Sequence, residues 1–208
     1  MKMKINKAFS LFLALVTSAL FGQSSQAAIG EFQEFLRQHP DASAKEVCLS
    51  LRRNIEKAPD LFAEASVDQP PKGDTYGCVI GVEILSKFES RLAAMAMNKL
   101  WTGKKFNDDG TELVNKIPAL KPIGKDETAT AKVYRTQSMV DGRDIYVLDY
   151  SESEQNFPVE KHLIRMVRDE IREISPGIYL GPVLLQIKGM AAPTTLYFAV
   201  FTSKSGLH

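Results

Sequence analysis

The chain has few of the residues that catalytic and metal sites use most often. Its 208 residues include three histidines, two cysteines and one tryptophan. It contains no G-x-S-x-G nucleophile motif, no Walker A loop, no H-E-x-x-H zinc motif and no G-x-G-x-x-G dinucleotide fingerprint. The cysteines form no C-x-x-C pair, and no Cys/His cluster has the spacing of metal ligands. The sequence therefore predicts no metal and no cofactor, and it does not identify a reaction.

The chain also lacks an excess of charge of either sign. The formal net charge is +1, and without the three lysines of the first 27 residues it is −2, from 23 basic and 25 acidic residues. This balance does not predict binding to nucleic acid or to an anionic membrane. The composition, 44% hydrophobic and 25% charged, is typical of a globular protein and excludes a disordered or collagen-like chain.

Long hydrophobic runs are missing except near the N-terminus. Three lysines there precede an apolar run at residues 8–21, which is short for a membrane span, and Ser25 and Ala27 place small residues at −3 and −1 of a signal-peptidase site. We predict a cleaved signal peptide over residues 1–27, and a membrane anchor or a buried helix is the alternative. The mature chain is then expected to be soluble, periplasmic or secreted, with no stable membrane insertion.

Export makes the two cysteines interpretable. An oxidising compartment permits a disulfide between Cys48 and Cys78, which would stabilise the fold by about 3–4 kcal/mol in the entropic model. Two buried free thiols, or one reactive thiol, are the alternatives. A reactive Cys48 would need a base, and His39 is the histidine that lies near it in sequence.

The first part of the chain, residues 28–99, has helical periodicity. Ser43 and Glu46 form a capping box, which predicts the start of a helix that ends at Pro59. A second helix is predicted over about residues 85–99 from an apolar stripe that we expect in the core, made of Leu85, Phe88, Leu92 and Met95. Residues 78–84 either extend that helix or form a strand.

The pattern changes after residue 100 to short β-prone runs separated by turns. Asp109-Gly110 and Asp141-Gly142 suit tight hairpins, because glycine accepts positive φ. This spacing is typical of an antiparallel meander or barrel. We predict an α+β fold, with an antiparallel β-barrel over residues 100–208 that a small helical region over residues 28–99 precedes.

One segment, residues 163–174, fits two structures. As a helix it would place Leu163, Val167, Ile171 and Ile174 on one face. As a strand it would separate Val167, Asp169, Ile171 and Glu173 from Arg168, Glu170 and Arg172. The neighbouring strands favour the strand.

Two motifs resemble a known group of sequences. Residues 101–106 read W-x-G-K-x-F, and residues 169–181 read D-E-I-R-E-I-x-P-G-x-Y-L-G. In this order they resemble an uncharacterised bacterial lipocalin-like (calycin-like) family, and they are distantly similar to Gly-x-Trp-x-Gly domains of unknown function. The resemblance covers roughly residues 98–203 and implies a β-barrel with a pocket, without an established reaction.

Aromatic and charged residues in the β-rich part supply the candidate pocket. An inward face of the ambiguous segment would present charges that could hold a carboxylate or phosphate head-group, whereas an outward face would be solvated. Asp149 is either a pocket group or an edge residue. The ligand-binding candidates are Trp101, Tyr134, Tyr146, Asp149, Arg168, Glu170, Arg172 and Tyr179.

Three functions fit these observations. The first is binding of a small apolar or amphipathic, lipid-like ligand in the barrel. The second is an isomerase, cyclase or lyase that uses Asp149 or Glu170 as general base. The third is an interaction module of the cell envelope, which an exposed apolar patch on the helices of residues 29–58 would favour.

Overall fold

The computed structural model describes residues 27–82, 85–153, 164–187 and 190–207. The predicted signal peptide lies outside these residues, apart from Ala27. Within them, no helix is both long and apolar enough to cross a membrane.

The described residues form four α-helices and nine β-strands. The helices are α1 at residues 27–38, α2 at Ala44–Arg53, α3 at Ala58–Glu64 and α4 at Lys87–Leu100. The strands are β1 Gly73–Asp74, β2 Tyr76–Val82, β3 Gly103–Phe106, β4 Glu112–Lys116, β5 Glu127–Gln137, β6 Asp144–Asp149, β7 Val167–Ser175, β8 Ile178–Ile187 and β9 Met190–Phe201. Short 3₁₀ helices follow α2 at Ile55–Lys57 (η1), β4 at Pro118–Ile123 (η2) and β9 at Ser203–Ser205 (η3).

The capping box at the start of α2 is confirmed, whereas the predicted end of that helix is wrong. The Ser43 side chain accepts a hydrogen bond from the Glu46 backbone, and the Glu46 carboxylate accepts one from the Ser43 backbone. The helix ends at Arg53. Pro59 lies in the first turn of α3, where its missing N–H leaves no helical hydrogen bond unmade.

The strands form one antiparallel sheet in the order β1-β3-β4-β5-β6-β7-β8-β9-β2. β1 and β2 are one stretch of chain interrupted at Thr75, and they pair with opposite edges of the sheet, β3 and β9. The sheet therefore closes almost completely into a barrel. This confirms the predicted fold class, and it shows that residues 73–82, within the region predicted to be helical, belong to the barrel.

Closure brings two glycines into contact. A Cβ on Gly77 would lie 2.4 Å from Cα of Gly103. Gly103 itself has φ +142°, and a Cβ there would lie 2.4 Å from the Thr75 carbonyl oxygen. The glycine of the W-x-G-K-x-F motif is thus required for the close approach of two backbones.

Residues 167–174 of the ambiguous segment lie in a strand, β7, as predicted from its neighbours, whereas residues 164 and 165 are helical and residue 163 lies outside the described residues. It pairs with β6 and β8, for example Leu148 with Asp169 and Glu173 with Tyr179. Asp169 and Ile171 face the barrel interior, and Glu170 and Arg172 face outward.

Two apolar clusters lie on opposite sides of the sheet. The interior cluster is built from Phe106, Leu113, Ala129, Ala131, Val133, Leu148, Tyr150, Ile171, Tyr179, Phe198 and Val200. On the outside, α1, α2 and α3 pack on the faces of β2 and β6–β9 through residues such as Phe32, Leu51 and Phe62. The helices therefore cover one wall of the barrel.

The predicted disulfide is confirmed. Cys48 of α2 is bonded to Cys78 of β2, with 6.0 Å between their Cα atoms and a sequence separation of 30. The bond ties the helical layer to the strand that closes the barrel, and it leaves neither sulfur as a free nucleophile.

The predicted burial of the apolar stripe made of Leu85, Phe88, Leu92 and Met95 is wrong. Ser90 and Ala94 are the buried residues of α4, whereas all four residues of the stripe are exposed. The Ser90 hydroxyl accepts a hydrogen bond from the Val82 backbone. The helix therefore packs through its small and polar side chains, and its apolar face points outward.

Candidate functional site

A lysine lies inside the barrel. The pleat of β3 turns Lys104 and Phe106 inward and Lys105 outward, and the buried Lys104 side chain is 4% exposed. Its ammonium donates hydrogen bonds to Asn115 Oδ1 at 2.9 Å, to Tyr150 OH at 2.6 Å and to Asp169 Oδ2 at 2.9 Å. All three donors of the lysine are thus used.

Three strands bring the partners of this lysine together. Asn115 on β4, Tyr150 at the end of β6 and Asp169 on β7 are all buried, and with Lys104 they form what we call the Lys104 cluster. Asn115 also donates to Tyr150 OH at 3.0 Å. The second carboxylate oxygen of Asp169, Oδ1, is buried and accepts no hydrogen bond from any residue that the structure describes.

Aromatic rings surround the ammonium. Lys104 Nζ lies 5.3 Å from the ring centroid of Trp101, 5.3 Å from that of Tyr150 and 5.1 Å from that of Phe198. These distances allow cation–π attraction, which strengthens where water is excluded. The Trp101 indole N–H donates to Asn115 Oδ1 at 3.0 Å, which joins the ring to the cluster.

The environment keeps Lys104 and Tyr150 each in one protonation state at neutral pH. Burial opposes the charge of Lys104, but the Asp169 carboxylate and the Tyr150 hydroxyl outweigh it and raise the pKa of the ammonium. Burial raises the pKa of Tyr150 to about 12, although the lysine opposes this shift. The lysine is therefore charged and the tyrosine neutral.

The two ends of the barrel differ. At one end, the loop of residues 66–72 crosses the opening, where Tyr146 and Tyr179 donate to the backbone oxygens of Asp68 and Gln69 at 3.4 and 2.9 Å. The opposite end, where β3 begins, carries partly buried apolar side chains that pack against the interior, namely Trp101, Ile164, Val167 and Val183. The Lys104 cluster lies nearer to this apolar end.

Three of the predicted ligand-binding residues face the interior. Trp101 lies beside the Lys104 cluster, whereas Tyr146 and Tyr179 lie at the end that the loop crosses. Burial and the neighbouring Glu173 raise the pKa of Tyr179. These three side chains remain candidates for ligand contact, at two different levels of the barrel.

Two further candidates lie on the outer wall. Tyr134 donates to Asp149 Oδ2 at 2.9 Å, and both side chains point away from the interior. Although burial works in the other direction, hydrogen bonds from Ser151 and Tyr134 lower the pKa of Asp149. Asp149 is therefore an outward-facing anion.

Arg168, Glu170 and Arg172, the charged residues predicted on the other face of β7, lie on the outer wall of the barrel and are buried there. Arg168 donates to Glu170 at 3.0 Å, and Glu170 accepts from the Met139 backbone at 2.9 Å. Arg172 forms two hydrogen bonds of 2.7 Å with Asp141, and its guanidinium lies 4.3 Å from the Phe62 ring centroid of α3. These side chains bind the β5–β6 turn and α3 to the wall, so Glu170 does not face the interior.

The sequence reasoning missed the Lys104 cluster, although a signal was present. In the motif W-x-G-K-x-F, the lysine and the phenylalanine two residues later share a strand face. Asp169 shares its face with Ile171 in the same way. In both cases an apolar residue two positions later indicates that the charged side chain faces inward. The sequence does not show that the two charges meet, because they are 65 positions apart.

A concave surface that encloses about 880 Å³ is lined by residues of β3–β5 together with Asp149, residues 151–153 and Arg165. Its rim carries the exposed ion pair of Lys105 with Glu127 at 2.9 Å and that of Lys132 with Glu152. Exposed pairs of this kind contribute little. Since these charges neutralise one another, this surface is a weaker candidate than the buried cluster.

Comparisons with known proteins give little more. No family model and no curated protein matches the chain. A solved crystal structure described as a protein from Thermomonospora curvata aligns over 85% of this chain and 98% of that one, with 14% identity and a TM-score of 0.44. A TM-score below 0.5 does not establish a shared fold, so the site is interpreted from its own geometry.

Proposed function

We propose that this is an exported protein that binds a small amphipathic molecule in its barrel, with the polar group of the ligand at the Lys104 cluster. The observation that carries the proposal is that the buried oxygen Asp169 Oδ1, beside the Lys104 ammonium, accepts no hydrogen bond from the part of the protein that the structure describes. A buried acceptor that is left unpaired costs about 1–3 kcal/mol. A ligand that donates a hydrogen bond to this oxygen would recover that energy.

The chemistry of the cluster defines the polar end of the ligand. Lys104 has no free donor, because its three hydrogen bonds go to Asn115, Tyr150 and Asp169. Asp169 Oδ1 requires a donor. A hydroxyl or an amide N–H fits this requirement, whereas a carboxylate would meet the negative charge of Asp169.

The apolar end of the barrel suits the rest of the ligand. Trp101, Val167 and Val183 are partly buried there, and the opposite end is crossed by the 66–72 loop. Because the 66–72 loop crosses the other opening, a ligand would enter the barrel beside Trp101. That ring is held by one hydrogen bond, to Asn115, and by edge contact with Phe198.

Export of the chain is supported by two features. The disulfide between Cys48 and Cys78 suits an oxidising compartment. The lysine-led apolar run with Ser25 and Ala27 is a signal-peptide pattern. Intact-mass measurement of the exported protein is expected to show a start at Ala28, and a chain that retains Met1 would contradict this.

The fluorescence of the one tryptophan tests the binding site. Because Trp101 lies 5.3 Å from Lys104 Nζ, a ligand at the cluster is expected to change its emission. Hexadecanol supplies the hydroxyl donor, and its methyl ether is a matched ligand without one. We expect the alcohol to bind at least about tenfold more tightly, as is typical when a buried polar partner is lost.

The matched protein control removes both charges. The double variant Lys104→Met with Asp169→Leu keeps the side-chain volumes roughly similar and retains Trp101. It should lose the preference for the alcohol. Equal affinity for alcohol and ether, or an unchanged preference in the double variant, would show that the cluster is not the binding site.

A further inference from the structure

Helix α4 presents three large apolar side chains to solvent. The exposed fractions of Phe88, Leu92 and Met95 are 70%, 51% and 56%. At about 100° per residue they lie within about 60° of one another around the helix, so they form a single stripe, here called the α4 stripe. No described part of the chain covers it.

Hydrogen bonds fix this orientation. The Asn98 side chain accepts from the Val79 backbone N–H at 3.0 Å and donates to the Val79 carbonyl at 3.1 Å. Ser90 accepts from the Val82 N–H at 2.9 Å. Turning the stripe toward the barrel would take these side-chain acceptors away from the backbone N–H groups of Val79 and Val82, so the outward stripe is built into the packing of the helix.

The charges beside the stripe are mostly positive. Arg91 and Lys99 are exposed, and Arg91 flanks the stripe while Lys99 continues it toward the C-terminus of the helix. The acidic residue of α4, Glu89, is bound to Ser86 in a capping box at the N-terminus. Pairing of two copies in antiparallel fashion about Leu92 would bring the two Arg91 side chains together. The charge pattern therefore fits an anionic surface better than a second copy.

We propose that the α4 stripe docks on the surface of an anionic lipid bilayer. The three apolar side chains would enter the boundary between head-groups and acyl chains, and Arg91 and Lys99 would contact lipid phosphates. The net charge of the whole chain is near zero, so the attraction is local to the helix. This inference does not require a ligand in the barrel.

Sedimentation with lipid vesicles tests the proposal. The exported protein, with its N-terminus verified by mass, is mixed with vesicles of phosphatidylglycerol and phosphatidylcholine or of phosphatidylcholine alone. We expect binding to the mixed vesicles that weakens as salt is added. The variant Phe88→Ser with Leu92→Ser should bind at least about tenfold more weakly, because it removes two of the three apolar side chains that would be buried in the bilayer.

Matched variants test whether binding depends on the α4 stripe itself and not on any pair of exposed apolar or charged side chains. Met139→Ser with Val140→Ser removes two similarly exposed apolar side chains from the β5–β6 turn and should bind as the wild type does. Arg91→Gln with Lys99→Gln should lose about tenfold in binding to the mixed vesicles, together with the salt dependence. Lys105→Gln with Lys132→Gln is the matched charge control.

Three results would overturn the proposal. The first is no sedimentation of the wild type with the mixed vesicles. The second is equal binding by the Phe88→Ser/Leu92→Ser variant, which would place the contact elsewhere. The third is a wild-type dimer in light scattering that this variant abolishes, without vesicle binding, which would make the stripe an interface between copies. The Lys104→Met/Asp169→Leu variant should still bind vesicles, which separates docking from uptake of lipid into the barrel.

Discussion

Replacing Lys104 by methionine is expected to destabilise the protein strongly, and replacing Asp169 by leucine as well is expected to restore it. In the single variant the Asp169 carboxylate stays buried but loses its cation, and its remaining contact is with the Tyr150 hydroxyl at 3.3 Å. Loss of one partner from a buried ion pair costs about 3–5 kcal/mol. In the double variant no charge is stranded, so the free energy of unfolding should lie within about 1 kcal/mol of wild type.

The remaining polar groups make this compensation possible. Without Lys104 and Asp169, Asn115 still donates to the Tyr150 hydroxyl and accepts from Trp101. Urea denaturation with the disulfide intact compares the wild type with the single and the double variant, and adding Asp169→Leu to Lys104→Met should recover roughly 3 kcal/mol of unfolding free energy. Lys105→Met, in the exposed pair next along β3, should leave the midpoint unchanged. A stable single variant, or a double variant as unstable as the single one, would refute this account of the interior.

Other perturbations give further tests. Burial raises the pKa of Tyr150 to about 12 from its ordinary value of 10.0. The stabilisation that its protonated hydroxyl provides is therefore complete below pH 10 and is lost between about pH 10 and 12, which lowers the free energy of unfolding in urea titrations by roughly 2–3 kcal/mol. Tyr150→Phe should flatten this fall, and an equally steep fall in the variant would contradict the expectation. Reduction of the Cys48–Cys78 bond should lower the free energy of unfolding by about 3–4 kcal/mol, and an unchanged melting temperature would count against it. Gly103→Ala, whose Cβ meets a carbonyl oxygen, should destabilise far more than Gly124→Ala, which has positive φ but open space; equal effects would exclude the close approach.

Local signals predicted the local structure. The capping box of Ser43 and Glu46 placed the start of α2, and the Asp-Gly pairs marked turns in which Gly110 and Gly142 have positive φ. Period-two alternation placed the strands after residue 100. Each of these signals involves residues within a few positions of one another, so they can be read directly from the sequence.

Long-range pairing could not be predicted in the same way. The α4 stripe was expected in the core because its spacing is that of a buried face. The helix instead turns Ser90 and Asn98 toward β2, whose backbone groups supply their partners. In the same way, Lys104 and Asp169 meet because β3 and β7 lie on facing walls of the barrel, which no single segment of sequence shows.

Native mass spectrometry of the protein tests the proposed function most directly. The wild type, purified under gentle conditions, is predicted to carry a bound small molecule with a hydroxyl or amide donor, and the Lys104→Met/Asp169→Leu variant is predicted to carry none. A wild-type protein without a bound molecule, or a variant that retains the same one, would contradict the assignment of the Lys104 cluster as the binding site.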